Sequence, residues 1–198
     1  DIIVDNPVQQ VAHPQYSVTP PRVLTPMEYR ALRDAVKKDR RMHAIIELLL
    51  QTGMRISELA ALTVENISLP KRQIFIAPQA SHEKRIVPLN NAAITAIKDY
   101  SQIRPRSKER AFFLTKSCRP FLVRNIRSAI DRYFKIAGIK EAKVNDLRHT
   151  FIVEQLAAGV PLVNVSRIVG HKRLSTTERY LQFIDADKMH QDVQIREL

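Results

Sequence analysis

The sequence predicts an α+β fold: a predominantly helical domain that carries one small, three-stranded antiparallel sheet. Three observations point there. Apolar residues recur at helical spacing through most of the chain from residue 23 onward, with capping signals at the ends of the runs. Between residues 66 and 89 that spacing gives way to short β-branched runs. All four glycines fall just past a predicted helix and no proline interrupts one, so caps and periodicity agree.

Residues 1–22 read as an arm, since Pro7, Pro14, Pro20 and Pro21 leave no helical period intact. "TPME" opens the first helix: Thr25 is the N-cap, Pro26 suits the first helical position, and Glu28 completes a capping box. That helix reaches about Lys38. "MHAIIELLLQTG" is a buried helix ending at Gly53, and "ISELAAL" a short one. "NISL", "RQIFIA" and "KRIVPL" are the three strands, separated by Pro70-Lys71 and by "QASHE". Helix returns with "NNAAITAIKDYSQI", followed by a brief extended piece at "FFL". The next helix carries Ile126, Ile130 and Phe134 on one side and Arg124, Arg127 and Arg132 elsewhere, and stops at Gly138. "VNDLRHTFIVEQLAAG" is expected to be helical from about Asp146, with Asn145 suited to cap it, and "VPLVNVSRIVG" follows with Pro161 at its start and Gly170 past its end. Ser175 and Glu178 suggest a second capping box, for a helix carrying Tyr180. A weakly amphipathic segment, about 186–196, closes the chain.

Charge narrows the function. Thirty-two Lys and Arg oppose twenty Asp and Glu, a formal net charge of +12. The basic residues are spread over many segments, as a broad groove for a polyanion requires, and nucleic acid is the first such partner. A membrane surface fits less well, because no single long amphipathic helix concentrates the charge. No stretch approaches the roughly 18 continuous apolar residues of a membrane span. Cys118 is the only cysteine, which rules out an intrachain disulfide and suits a reducing, cytoplasmic setting.

Metal and nucleotide chemistry find no support in the sequence. One cysteine cannot build a zinc cluster, and the histidines at 13, 43, 82, 149, 171 and 190 form no HxxxH pair. No GxxxxGK[ST] loop is present. Work on phosphodiesters would therefore draw its positive charge from side chains, for which the planar fork of arginine is suited. Arg55 follows a helix stop in "TGMRISEL", where it has no apolar role. Arg148 lies in the expected first turn of "NDLRHTF", where a cation opposes the helix dipole and calls for an anion, either Asp146 or a bound phosphate. His171 lies just past a helix C-terminus. Tyr180, Phe183 and Ile184 share helical spacing, so Tyr180 taken alone reads as a core aromatic. Taken singly, each of these residues has an ordinary structural role.

Taken in order, the segments resemble the catalytic domain of the tyrosine recombinases, the phage-integrase and Xer-like family, over most of residues 23–185. "LLLQTGMRISELAALTVENI" is similar to the family's first box, with Arg55 as its arginine. "DLRHTF" is similar to the second, with Arg148. "VGHKRLSTTERYL" is similar to the end of the constellation, with His171 and Tyr180. The step of 23 residues from Arg148 to His171 and of nine to Tyr180 fit. The resemblance implies that Tyr180 attacks a DNA phosphodiester and forms a 3′-phosphotyrosine link, while Arg55 and Arg148 clamp the phosphate and His171 assists. It implies no metal, ATP or other cofactor. Its implied partners are double-stranded DNA and further copies of the chain, in a tetramer on DNA, with accessory DNA-bending proteins as a further class.

Two departures from the family pattern stand out. The family usually has a histidine three residues before the second arginine; here that residue is Asn145, which can donate a hydrogen bond but cannot exchange a proton near neutral pH. The family's hairpin lysine, which protonates the leaving 5′-oxygen, has Lys84 as its counterpart in "APQASHEKRIVPL", with His82 as the competitor for that place. The resemblance also implies that residues 1–22 link to an N-terminal, DNA-clamping domain absent from this sequence, and that residues 185–198 pack on a neighbouring protomer. It leaves open whether Tyr180 acts in its own active site or a neighbour's. The competing functions are a non-catalytic DNA-binding protein on the same scaffold and a type IB topoisomerase.

Overall fold

The computed structural model describes residues 20–78 and 83–184. Residues 1–19, His82 and the tail from 185 lie outside the described residues, and with them most of the expected arm and the expected last amphipathic segment. Among the described residues the chain forms eight α-helices and one three-stranded antiparallel sheet. The α+β expectation holds in kind and in element order.

The first helix, α1 (Pro26–Val36), starts as its sequence demands: Thr25 caps it, and the Glu28 carboxylate accepts the Thr25 N–H at 2.8 Å. Just before it, the Leu24 side chain is buried and its N–H donates to the Thr150 hydroxyl at 2.9 Å, which pins the start of the domain to a distant helix. Helix α2 (Arg40–Thr52) is apolar on nearly every face and is buried accordingly. It ends at Gly53, whose left-handed backbone lets its N–H reach Leu49 O. The short helix α3 (Ile56–Ala60) follows after two residues.

The sheet runs in the order β1 (Ile67–Ser68), β2 (Gln73–Ile76), β3 (Arg85–Pro88), with Ile74 opposite both Ile67 and Val87. Its alternation places Ile74, Ile76 and Val87 in the core. Helix α4 (Asn91–Ile103) packs along α2. The "FFL" piece, expected to be extended, forms no strand: Phe112 and Phe113 make a bend between isolated bridges at Ala111 and Leu114. Phe113 stacks on Tyr100 and Phe112 meets it edge-on, while the Tyr100 hydroxyl accepts the Leu114 N–H at 3.0 Å. Then come α5 (Val123–Ile136), α6 (Val144–Ala157), α7 (Leu162–Val169) and the four-residue α8 (Ser175–Glu178).

Two helix expectations need correction. Helix α6 begins at Val144, two residues earlier than read, so Asn145 is its second residue and not its cap. The Lys143 side chain makes no cap bond; instead the Asp146 carboxylate accepts the Lys143 N–H at 2.7 Å, the reciprocal half of a capping box. The box of Ser175 and Glu178 does not form. The chain is already turning at Arg173 and Leu174, whose carbonyls take the N–H groups of Thr176 and Thr177, so Ser175 lies inside the turn. Tyr180 therefore follows a very short helix and precedes a 3₁₀ turn, Leu181–Phe183.

The buried side chains form two clusters. The larger joins α1, α2, α4, α5, the sheet and the start of α6. The smaller gathers Phe151, Ile152, Leu156, Val165 and Val169 around Tyr180 and Ile184. Tyr180 is thus in part the core aromatic that its spacing suggested. Burial of Ile184, of order 2 kcal/mol for a side chain of its size, helps hold the end of the described chain against α6 and α7.

Candidate active site

The C-terminal end of α7 organises the site. The last carbonyls of a helix have no partner within it and carry the negative end of its dipole. Here three successive carbonyls each accept from a different arginine. Ile168 O takes Arg85 Nε at 2.8 Å, Val169 O takes Arg148 Nη2 at 2.8 Å, and Gly170 O takes Arg55 Nη2 at 3.2 Å. The three cations come from β3, α6 and the residue just before α3, so one helix end draws together segments far apart in sequence.

Like charges so close need an anion. Glu58 supplies it, almost wholly buried on α3. Its two oxygens accept the Arg85 fork at 2.7 Å each, one also takes Arg55 Nη1 at 3.2 Å, and the other takes the Arg55 backbone N–H at 2.7 Å. Burial alone would raise this carboxyl. The Arg85 fork, the Arg55 N–H and both guanidinium charges outweigh it and hold the carboxyl below its ordinary range.

Arg148 is the most enclosed of the cations. Its guanidinium donates to Gly53 O as well as to Val169 O, so of the two partners the sequence allowed, Asp146 or a phosphate, it does not take Asp146 but bonds two helix-end carbonyls. Burial, and next the charge of Arg55, push it down to about 10, with Glu58 opposing. It remains a cation at neutral pH. A guanidinium has five N–H donors and these contacts use two, which leaves donors for a ligand oxygen.

Two imidazoles flank the tyrosine. His171 follows Gly170; its Nδ1 bonds the Thr177 hydroxyl at 2.8 Å, and its ring lies nearly parallel to the Tyr180 ring, centroids 6.2 Å apart. Burial, then the charges of Arg148 and Arg55, push His171 down to about 4, so it is neutral at physiological pH. His149, on α6 next to Arg148, meets Tyr180 directly: its Nδ1 lies 2.8 Å from the phenol oxygen. Burial pushes the phenol up from its ordinary value, and the charge of Arg148 opposes that. Tyr180 thus sits among histidines of its own chain.

Of the six residues read from the sequence, Arg55, Arg148, His171 and Tyr180 converge. Asn145 is exposed, one turn before Arg148 on the same side of α6. Lys84 is exposed at the end of the β2–β3 connection and shares a cleft with Arg85, Arg167, Gly170, His171 and Lys172. Sequence reasoning missed Glu58, Arg85 and His149. The first stands three residues after Arg55, as a capping partner would, and the last adjoins Arg148; nothing local marks Arg85.

The model of the Phage integrase family matches residues 22–186. The chain belongs to the phage integrase family. Among its integrase-family relatives, "Tyrosine recombinase XerC" of Caldanaerobacter subterraneus subsp. tengcongensis is 30% identical over 193 residues, covering 93% of this chain and 54% of the relative. The crystal structure of XerA recombinase superposes with a TM-score of 0.77 at 27% identity, covering 86% of this chain and 63% of that one. The Tn1549 transposon integrase, solved in complex with a circular intermediate DNA, shares the fold at a TM-score of 0.75 and 22% identity, covering 82% of this chain and 62% of that one. This integrase-family chain therefore spans less than two thirds of the length of these proteins. Among its described residues, no helix is long and apolar enough to cross a membrane, and no cluster of histidine, cysteine and carboxylate has the arrangement of a metal site.

Proposed function

We propose that this chain carries the catalytic centre of a site-specific DNA recombinase or integrase, which cuts and rejoins strands through a 3′-phosphotyrosine intermediate. The gathering of Arg55, Arg148, His171 and Tyr180 around the end of α7 carries this reading. Arg55 and Arg148 hold one backbone phosphate and stabilise the charge that grows on its nonbridging oxygens. The Tyr180 oxygen attacks phosphorus, and the bond to the 5′-oxygen breaks. Lys84 gives the leaving oxygen its proton; its place in the cleft beside His171 supports that assignment. Asn145 donates a hydrogen bond to the phosphate from the exposed end of α6, and His171 donates from its free ring nitrogen. The covalent link conserves the energy of the broken bond, so a second strand is joined without ATP.

The substrate is double-stranded DNA, and the working form is a tetramer on two duplexes, served by DNA-bending accessory proteins and acting in the cytoplasm. The net charge of +12 and the DNA complex of the Tn1549 integrase support the DNA partner. Residues 1–22 act as the linker from a DNA-clamping domain, residues 23–184 as the catalytic unit and the tail from 185 as a contact to a neighbouring protomer.

The test is covalent capture. The full chain is incubated with a library of nicked suicide duplexes of randomised core, denatured, and assayed for DNA-linked protein. A labelled adduct that Tyr180→Phe abolishes is expected. Duplex binding with no adduct would leave only a DNA-binding protein on this scaffold.

A further inference from the structure

Strand cleavage requires the Tyr180 hydroxyl to lose its proton, and none of the groups assigned above takes it. Arg55 and Arg148 are cations with nothing to accept a proton. Asn145 cannot exchange one near neutral pH. The His171 ring lies parallel to that of Tyr180 with centroids 6.2 Å apart, its Nδ1 is engaged with Thr177, and its other nitrogen is the one assigned to the phosphate. His149 alone among the described residues points a ring nitrogen at the phenol oxygen, at 2.8 Å.

We propose that His149 is a catalytic residue, the proton acceptor for Tyr180 in strand cleavage. The inference rests on Tyr180 being the nucleophile. The phenol O–H donates to Nδ1, which fixes the proton of the neutral imidazole on Nε2. With its hydrogen turned to His149, the phenol oxygen keeps its lone pairs free for phosphorus. As the O–P bond forms, the O–H bond breaks and its proton passes to Nδ1. The P–O5′ bond breaks, its electron pair stays on the 5′-oxygen, and that oxygen is protonated by Lys84. Rejoining reverses each transfer: the 5′-hydroxyl returns its proton to Lys84, and the departing phenol oxygen takes its own back from His149.

The surroundings suit a base that is neutral at rest. Burial first, and then the charge of Arg148, hold His149 below its ordinary value, while Asp146, one turn earlier on α6, favours the cation. The groups facing this pair are Asp146 and Arg148 from α6, and His171 beside Tyr180 from the C-terminal segment. The acceptor therefore stays empty at neutral pH, yet an anion close by stabilises the imidazolium formed in the step.

The experiment measures single-turnover cleavage and duplex affinity on a suicide duplex recovered by covalent capture, using the full chain. His149→Gln keeps a hydrogen-bond acceptor for the phenol but cannot take a proton. It should slow cleavage by about a hundredfold or more, the usual reach of general-base catalysis, with affinity unchanged. His149→Ala should be as slow and should regain rate in free imidazole. Placing a fluorinated, more acidic tyrosine at position 180 should shrink the defect of His149→Gln. Wild-type cleavage by His149→Gln would overturn the proposal, since the bond would then only position the ring. A defect carried wholly by weaker binding or a lower melting temperature would overturn it too. Tyr180→Phe separates the two readings: if it still forms an adduct, the nucleophile is wrong, whereas loss of adduct there with normal His149→Gln removes only the base.

Discussion

Arg55 and Arg148 donate to adjacent carbonyls, Gly170 and Val169, at the end of one helix. They stand 93 residues apart in sequence, and their charges are close enough for Arg55 to lower Arg148. That proximity is unfavourable by itself. It persists because helix-end carbonyls and the buried Glu58 balance it, and a phosphate placed between the two would balance it further. The repulsion between the two cations is thus a source of affinity for an anion.

Glu58→Gln tests this balance. The variant leaves Arg55 and Arg85 without their anion, and removing one partner of a buried pair costs of order 3 kcal/mol. Urea melts should report that loss at neutral pH. The folded carboxyl lies below its ordinary value, so its stabilising effect is present above the unfolded value, roughly 4.3, and fades as pH falls through the folded one. The gap between wild type and variant should close in strongly acid solution. A constant gap there would mean that shape, and not charge, sets the cost.

Arg148→Lys keeps a positive charge and loses the fork. A lysine ammonium cannot reach both Gly53 O and Val169 O in the same geometry, so one buried carbonyl goes unpaired, at about 1–3 kcal/mol. Cleavage should fall by about a hundredfold or more, as when one donor to a transition-state oxyanion is lost. Urea melts and single-turnover cleavage check the two figures. Unimpaired cleavage would show that point charge suffices.

Local rules made most of the fold legible. The Thr25 cap, the end of α2 at Gly53 and the alternation of Ile74 and Ile76 all depend on residues within a few positions of one another. The errors arose where distant contacts decide. The segment holding Tyr180 is shaped by His149, by Thr177 bonding back to His171 and by Ile184 entering the smaller core, so a helix capped at Ser175 never extends through it. The pairing of Arg85 with Glu58 spans 27 residues and depends on where the β2–β3 hairpin folds. Arg55, Arg148, His171 and Tyr180 were legible because their order and spacing are those of a family; the anion and the base that serve them were not.

The two histidines should shape acid stability with a definite sign. His171 is pushed down to about 4 when folded, against roughly 6.5 when unfolded. Between those values the unfolded chain binds a proton that the folded chain refuses, so stability rises with pH across the window and is lost as pH falls through it. His149, also held low by burial, adds in the same direction. His171→Gln should flatten part of this limb in melts taken from pH ~6.5 to ~4, leaving the contribution of His149. An unchanged slope would show that His171 protonates freely in the fold.

Gly170→Ala should separate the geometry of the site from the stability of the fold. Gly170 has φ +71°, and a Cβ there would lie 2.8 Å from Arg85 Nη1. Arg85 is not free to yield, because its fork is held by Glu58 and its Nε by Ile168 O. Either Arg85 leaves Glu58 or the Gly170 carbonyl turns away from Arg55, and both would disturb the proposed phosphate clamp. Gly159→Ala is the matched control: φ is +80° there, and nothing lies within 4 Å of the added carbon. Backbone strain should cost each variant about 1–2 kcal/mol, read from urea melts. Cleavage should drop at least about tenfold in Gly170→Ala, equivalent to some 1.4 kcal/mol in the barrier, and stay near wild type in Gly159→Ala. Equal cleavage in the two variants would mean that Arg85 can move without disturbing the clamp, and that its seat beneath Gly170 has no part in holding the phosphate site together.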